Sequence, residues 1–278
     1  MKCIAIDIGG TKVESALVKG DQIEKEHKEP VDKEHLVDQI IRLVNRFEDD
    51  VPIGIGMAGQ IKEGVVISSP NLPVQNFAFA KEVEKQTGKK CALLNDVQAA
   101  ALAESKFGAG KGSQRLLVVF LGTGIGGGIV IDGKLQTGGA GEIGHTVIVQ
   151  DGLDCSCGRK GCVEPYASGW GLAKQAGVKE AKDVLKPGGN KIAEAGFKAL
   201  VTMFANAANF LNPDKIVLGG NLLKGYEAAF PNFFEDLAHE VKKQLFIPNG
   251  EHLVFEKSRF PSTGVLIGAA ANAQATKS

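Results

Sequence analysis

Apolar and polar positions alternate in short runs near the N-terminus and again from Leu116. Lys2–Ile8 (KCIAIDI) reads as a strand, Gly9-Gly10 as a turn and Val13–Val18 as a second strand. Lys19-Gly20-Asp21 is another turn, and Gln22–Glu26 a third extended run. The stretch Leu116–Gln136 (LLVVFLGTGIGGGIVIDGKLQ) repeats this scheme. Strand Leu116–Leu121 leads to a glycine-rich turn, then strand Gly128–Ile131, the turn Asp132-Gly133 and a third short strand. The interval from Gly9 to Gly20 equals that from Gly122 to Gly133. Two matching units predict a duplicated fold in which each half supplies one glycine hairpin.

Between these units the period switches. Asp32–Phe47 places Leu36, Ile40, Leu43, Val44 and Phe47 on one helical face, and its charges form a solvated opposite face. Val51–Gly56 reads as a strand ending in Gly56-Met-Ala-Gly59. Val65–Ser68 is extended, Pro70-Asn71-Leu72-Pro73 a loop and Phe77–Thr87 a helix. Cys91–Leu94 is a buried strand running into Asn95-Asp96 and an alanine-rich helix, Val97–Phe107. Farther on, Gly196–Leu211 is a helix that stops at Asn212-Pro213. Strand Lys215–Leu218 ends in Gly219-Gly220-Asn221 before another helix, and Val265–Ala275 closes the pattern as a small-residue helix. Strands alternating with helices predict an α/β protein with a largely parallel or mixed sheet.

The chain of 278 residues has room for two domains of ordinary size. Its 32 basic and 32 acidic side chains leave no net charge, and Arg159-Lys160 is the largest basic feature beside the cysteines, which argues against a nucleic-acid partner. No apolar run approaches the ~20 residues of a membrane span. With no signal peptide read ahead of the first strand, a cytoplasmic location is expected.

Glycine at a hairpin tip lets backbone N–H groups approach a phosphate. Asp7, Thr11 and Lys12 surround the first tip and Thr123 lies in the second; either alone reads as a tight turn, but the pair suggests a phosphate clamp. Gly122–Gly127 fits G-x-G-x-x-G, yet a strand follows where a dinucleotide fold needs a helix. Gly110-Lys111-Gly112 lacks the Ser or Thr of a P-loop and reads as a surface turn. Asn95-Asp96 reads as a helix N-cap, and its carboxylate also stands where α/β sheets place ligands. Gly219-Gly220-Asn221 is a weaker candidate cradle for a nucleoside.

His145, Cys155, Cys157 and Cys162 fall within one short stretch, bracketed by Glu142 and Glu164. Three thiolates and an imidazole nitrogen are a tetrahedral donor set suited to Zn²⁺. Two disulfides would use four of five cysteines, while Cys3 and Cys91 sit in apolar strand patterns. A structural zinc is the favoured reading.

Together these segments resemble the ROK family, which contains sugar kinases and transcriptional repressors. DIGGTK (Asp7–Lys12) is similar to the family's first phosphate loop and LGTGIGGG (Leu121–Gly128) to its second. LGGNL (Leu218–Leu222) is similar to its adenosine-side loop, and GEIGH (Gly141–His145) to its sugar and zinc segment. CSCGRKGCVE (Cys155–Glu164) matches CxCGxxGCxE at every fixed position, and the likeness runs from Ala5 to about Ala271. Ala58, in GMAG, replaces a proline common in the family.

The resemblance implies a two-domain actin/hexokinase-like (ribonuclease H-like) α/β fold, with duplicated hairpin units and a structural zinc loop. Residues 1–107 with the C-terminal helix 264–278 would form the smaller domain and 108–263 the larger. It further implies an ATP-dependent hexose kinase, glucose at its 6-hydroxyl being the first expectation. N-acetylmannosamine, N-acetylglucosamine or fructose, or a non-catalytic sugar sensor or regulator, are the alternatives. ATP would lie against Asp7, Gly9, Gly10, Thr11, Lys12, Gly122, Thr123, Gly124, Gly219, Gly220 and Asn221, with Mg²⁺ oriented by Asp7. The sugar would meet Gly59, Asn71, Asn95, Glu142, His145 and Glu164, and Asp96 would act as general base. The family also implies a homodimer. A regulator would usually carry a helix-turn-helix segment ahead of the first phosphate loop, and only six residues precede Asp7 here.

Overall fold

The computed structural model describes residues 2–246 and 252–275, so the last three positions of the expected C-terminal helix, 276–278, lie outside the described residues. Strand β1 (Lys2–Ile8) pairs antiparallel with β2 (Lys12–Lys19) in unbroken register, from Lys2↔Lys19 to Ile8↔Val13. β2 pairs in turn with β3 (Gln22–Pro30), which runs on past the expected Glu26 because Lys28, Glu29 and Pro30 continue the ladder opposite Glu14, Val13 and Lys12. Cys3, Ile4, Ala5, Ile6 and Ile8 are all fully buried, so β1 is covered on both faces and reads as a nearly continuous apolar run.

Helix α1 (Leu36–Val44) is shorter than the predicted Asp32–Phe47. Asp32 Oδ1 accepts from the amides of Glu34 and His35, both at 3.1 Å, and this local turn delays the helix to Leu36. The chain continues through β4 (Ile53–Met57), β5 (Gln60–Lys62), β6 (Val65–Ser68), β7 (Gln75–Phe77), α2 (Phe79–Thr87), β8 (Cys91–Asn95) and α3 (Asp96–Phe107). The small β5-β6-β7 sheet takes Phe77 from the predicted helix; strands of three residues offer too little alternation to register in sequence. In the main sheet, β3-β2-β1-β4-β8, strands β1, β4 and β8 are parallel, with Ile8 opposite Met57 and Met57 opposite Asn95.

The second sheet repeats this plan in the order β11-β10-β9-β12-β13. Its members are β9 (Arg115–Leu121), β10 (Ile125–Ile131), β11 (Lys134–Gln136), β12 (Lys215–Gly219) and β13 (Val254–Lys257). β10 starts at Ile125 and not at Gly128: Gly126, Gly127 and Gly128 pair with Phe120, Val119 and Val118 inside the ladder. Gly127 leaves room for the neighbouring chain, since a Cβ there would stand 3.0 Å from the carbonyl oxygen of Gly141, tighter than ordinary contact. Helices α4 (Glu164–Ala167), α5 (Gly169–Ala176), α6 (Lys191–Leu211), α7 (Leu223–Ala229) and α8 (Phe233–Lys242) accompany this sheet, and α9 (Gly264–Ala275) ends the fold. α6 begins at Lys191, ahead of the predicted Gly196, because Asn190 Oδ1 caps it by accepting from the amides of Ile192 and Ala193 at 3.0 Å.

Two compact units result. One comprises Met1–Lys111, Lys134–Ala140 and Ser262–Ser278; the other comprises Gly112–Gly133 and Gly141–Pro261. In the first, Ile4, Ile6, Ile40, Leu43, Ile53, Ile55 and Phe79 centre the core. In the second, Leu117, Val119, Leu200, Phe204, Tyr226 and Phe233 do so, and the buried Tyr226 hydroxyl donates to Ala167 O at 2.9 Å. No helix among the described residues is long and apolar enough to cross a membrane.

Candidate active site

In the first unit, the parallel register brings the ends of β1, β4 and β8 level, at the carboxyl edge where open α/β sheets bind ligands. The Gly9-Gly10 turn closes with Gly9 N donating to Lys12 O at 3.0 Å, and Thr11 O accepts from Val31 N at 3.1 Å. A Cβ on Gly10 would sit 2.9 Å from Asn71 Cβ, so Asn71 packs directly on the turn. Asn95, not Asp96, is the cap of α3: its Oδ1 accepts from Gln98 N at 3.1 Å, while its Nδ2 donates to Gly59 O at 3.1 Å. Gly59 needs its glycine, having φ of +141° and Ser68 O 2.4 Å from where a Cβ would stand. Asp96 opens the helix and accepts from Val97 N at 2.9 Å. Asp7, Gly10, Gly59, Asn71, Asn95 and Asp96 thus gather on one edge of this unit.

Two carboxylates there influence each other. Burial first, then the charges of Asp96 and Glu14, push Asp7 up to about 7, and Lys12 and Lys28 oppose them. Both lysines contact the same Glu14 Oε1 at 2.6 Å. This grouping, missed in the sequence, follows from Glu14 lying opposite Lys28 across the β2–β3 ladder. A divalent cation suits such a site, because its charge would offset both the burial and the neighbouring carboxylates that raise Asp7.

In the second unit, the turn after β9 is fixed by backbone. Gly122 N donates to Gly124 O at 2.9 Å; Gly122 O accepts from Gly169 N at 2.9 Å and Thr123 O from Trp170 N at 3.1 Å. The Gly219–Asn221 turn ends the neighbouring strand β12. Leu222 N donates to Leu121 O at 2.9 Å, and a Cβ on Gly220 would stand 2.2 Å from that oxygen. The second and third glycine turns are therefore adjacent.

The cysteine loop also lies in this unit. The ligand atoms of His145, Cys155, Cys157 and Cys162 all fall within 4.8 Å of one another. His145 Nδ1 is 3.5 Å from Cys155 Sγ, and Cys157 Sγ is 3.7 Å from Cys162 Sγ. Tetrahedral zinc, with bonds of about 2.3 Å to sulfur and about 2.0 Å to nitrogen, requires separations of about 3.8 Å and about 3.5 Å. The donor set fits the metal. Burial raises the Cys157 thiol, but hydrogen bonds from Arg159, Cys155 and Cys162 outweigh it and bring the group down to about 6. Burial, with Cys157 and Cys155 close by, pushes Cys162 up to about 12.

Glu142 is exposed just before the turn Ile143–His145. Glu164 is buried, with Oε2 accepting from Ile125 N at 2.9 Å and Oε1 accepting from Ser156 Oγ at 3.2 Å and Trp170 Nε1 at 3.0 Å. Trp170 carried no motif and escaped the sequence reading.

Comparison with known proteins agrees over nearly the whole chain. The ROK family model matches residues 3–276. The N-acetylmannosamine kinase of Haemophilus influenzae is 30% identical over 293 residues, covering 97% of this chain and 94% of that protein. The structure of a ROK hexokinase from Thermus thermophilus superposes with a TM-score of 0.87 at 27% identity, over 100% of this chain and 99% of that one. A ROK family glucokinase from Streptomyces griseus, solved in complex with glucose and AMPPNP, gives a TM-score of 0.78 at 27% identity, covering 99% and 100%. The fold is accordingly the actin/hexokinase-like α/β fold.

Proposed function

The chain belongs to the ROK family, and from that premise we propose that it transfers the terminal phosphoryl group of ATP to a hexose, glucose at its 6-hydroxyl, with Asp96 as general base. The observation that carries this reading is Asp96 at the first turn of α3, electrostatically coupled to Asp7 beside the Gly9–Lys12 turn. Phosphoryl transfer needs positioning and charge neutralisation more than covalent chemistry. Asp96 takes the proton of the attacking hydroxyl as the new bond to phosphorus forms.

On this reading Gly9, Gly10, Thr11, Lys12, Gly122, Thr123 and Gly124 hold the phosphates, and Gly219, Gly220 and Asn221 the adenosine side. Asp7 is the residue that would orient Mg²⁺, which when bound neutralises charge on the phosphates. Gly59, Asn71, Asn95, Glu142, His145 and Glu164 hold sugar hydroxyls. His145 turns Nδ1 to the cysteines; a metal bound at Nδ1 would leave the proton on Nε2, which would then donate to a sugar oxygen. A structural zinc bound by His145, Cys155, Cys157 and Cys162 would fix that ring and the loop around it.

Likeness to the glucokinase solved with glucose and AMPPNP supports glucose and ATP. Likeness to an N-acetylmannosamine kinase over almost the full chain supports that amino sugar as the second candidate acceptor. ADP release from Mg-ATP is the test, measured across glucose, N-acetylglucosamine, N-acetylmannosamine, mannose and fructose. Turnover on one sugar, abolished by Asp96→Asn, establishes the kinase and names its acceptor. Silence on every sugar from folded, metal-loaded protein rejects these acceptors, in favour of a sugar sensor or an acceptor outside the five.

A further inference from the structure

The second glycine turn and the cysteine loop share one buried carboxylate. Glu164, 7% exposed, follows Cys162 by two positions, and Ser156, which donates to its Oε1, stands between Cys155 and Cys157. Oε2 accepts from Ile125 N, directly after the Gly122–Gly124 turn. An added Cβ on Gly124 would lie 2.6 Å from that same oxygen, so turn and carboxylate are in contact. Trp170 closes the set: its Nε1 donates to Glu164 Oε1 at 3.0 Å and its backbone N to Thr123 O at 3.1 Å. All of these residues lie in the second unit.

A carboxylate in a buried position is tolerable only when donors surround it, and losing one donor weakens its hold on the rest. Two of Glu164's donors are anchored differently. Trp170 stands in the first turn of α5, whereas Ser156 belongs to an exposed loop. That loop is tied down by Cys155 N donating to Arg159 O at 2.8 Å, by Gly161 N donating to Leu153 O at 2.8 Å and by its three cysteine sulfurs. With a metal on those sulfurs Ser156 is fixed; without one, three of its loop's anchors are gone.

We propose that Ser156, Glu164 and Trp170 are positioning residues, forming a relay by which metal occupancy of the cysteine cluster orders the Gly122–Gly124 turn and so tightens nucleotide binding. The inference rests on the kinase reading. Its chemistry is preorganisation: a turn already held in place loses less freedom when its amides meet a phosphate. Trp170, the single tryptophan of the chain, also makes the relay visible. Its indole N–H bond to Glu164 places its emission under the control of the same contacts.

The test is calorimetric binding of Mg-ADP and of the accepted sugar, with tryptophan emission recorded in parallel. It uses metal-loaded protein, chelator-stripped protein and metal-loaded Ser156→Ala. Stripping is expected to shift Trp170 emission and to weaken Mg-ADP by about tenfold or more, by analogy with removal of one hydrogen bond to a charged group. Ser156→Ala, with full metal content, is expected to weaken Mg-ADP by about fivefold, and sugar affinity falls beside it because Glu164 also holds a sugar hydroxyl. If stripping unfolds the chain, Ser156→Ala alone decides. Mg-ADP affinity and emission equal to wild type in that variant overturn the relay while leaving the kinase intact. A loss confined to sugar affinity overturns it too, assigning Ser156 to the sugar side. Wild-type protein that binds no nucleotide would reject the kinase reading and the relay together.

Discussion

Asn95 spends both ends of its amide on backbone: Oδ1 caps α3 at Gln98 N, and Nδ2 reaches the carbonyl of Gly59 at 3.1 Å. One side chain therefore starts the helix that carries Asp96 and fixes the loop that follows β4. Asn95→Ser retains a capping oxygen but drops the donor to Gly59. The variant should fold with a Tm close to wild type and raise the sugar KM by about tenfold, with the ATP KM moving less than about twofold. Steady-state kinetics with each substrate varied in turn checks this; an unchanged sugar KM would remove Gly59 and Asn95 from the sugar side.

Asp96→Asn tests the base itself. The amide oxygen can still accept from Val97 N, as Asp96 Oδ1 does at 2.9 Å, so the helix start is kept. What is lost is the capacity to take a proton, together with the negative charge that Asp7 feels. We expect kcat to fall by about 10²- to 10⁴-fold with sugar affinity nearly unchanged. Single-turnover kinetics beside equilibrium sugar binding separates the two, and a variant that keeps wild-type kcat would dismiss Asp96 as the base.

The chemistry-bearing parts of this chain were legible because each depends on local spacing. The paired glycine hairpins, Asn95-Asp96 at a strand-to-helix junction and the Cys155–Cys162 loop announce themselves within about ten residues. Their environments were not legible. The Glu14 carboxylate shared by Lys12 and Lys28 depends on the β2–β3 register, which shifts at a bulge between Ser15 and Leu17. Trp170 meets Glu164 only because α4 breaks at Ser168, whose hydroxyl then caps α5 by accepting from Gly171 N at 3.1 Å. The start of β10 was missed because three glycines read as a turn. In the ladder they are strand residues, and the missing side chain of Gly127 leaves room for the Gly141 backbone.

Asp7 makes stability depend on pH in an unusual direction. Its folded pKa is about 7 against an ordinary 3.8, so between those values the folded protein holds a proton that the unfolded chain has released. The stabilisation is complete below the lower value and is lost as pH rises through the upper one. The ligand-free protein should therefore lose several degrees of Tm from about pH 5 to about pH 8, as expected for a loss of a few kcal/mol in a domain of this size. Asp7→Asn should flatten that slope, and Mg-nucleotide should restore Tm at the high-pH end. A ligand-free Tm that rises steadily across this window would show that Asp7 is ionised throughout.

Cys157 is the exposed member of the S₃N set, and Arg159 beside it favours the thiolate that a metal requires. Cys157→Ser replaces that thiolate with a hydroxyl of much poorer affinity for zinc and changes little packing, so the fold has reason to survive. Zinc content should fall well below one per chain, and the sugar KM should rise in the same protein, because His145 would lose the partner that holds its Nδ1 among the cysteines. The two readouts must move together. Metal analysis paired with sugar kinetics on one preparation is decisive: a folded, zinc-free variant with a wild-type KM would break the link between the metal and His145's role in holding the sugar.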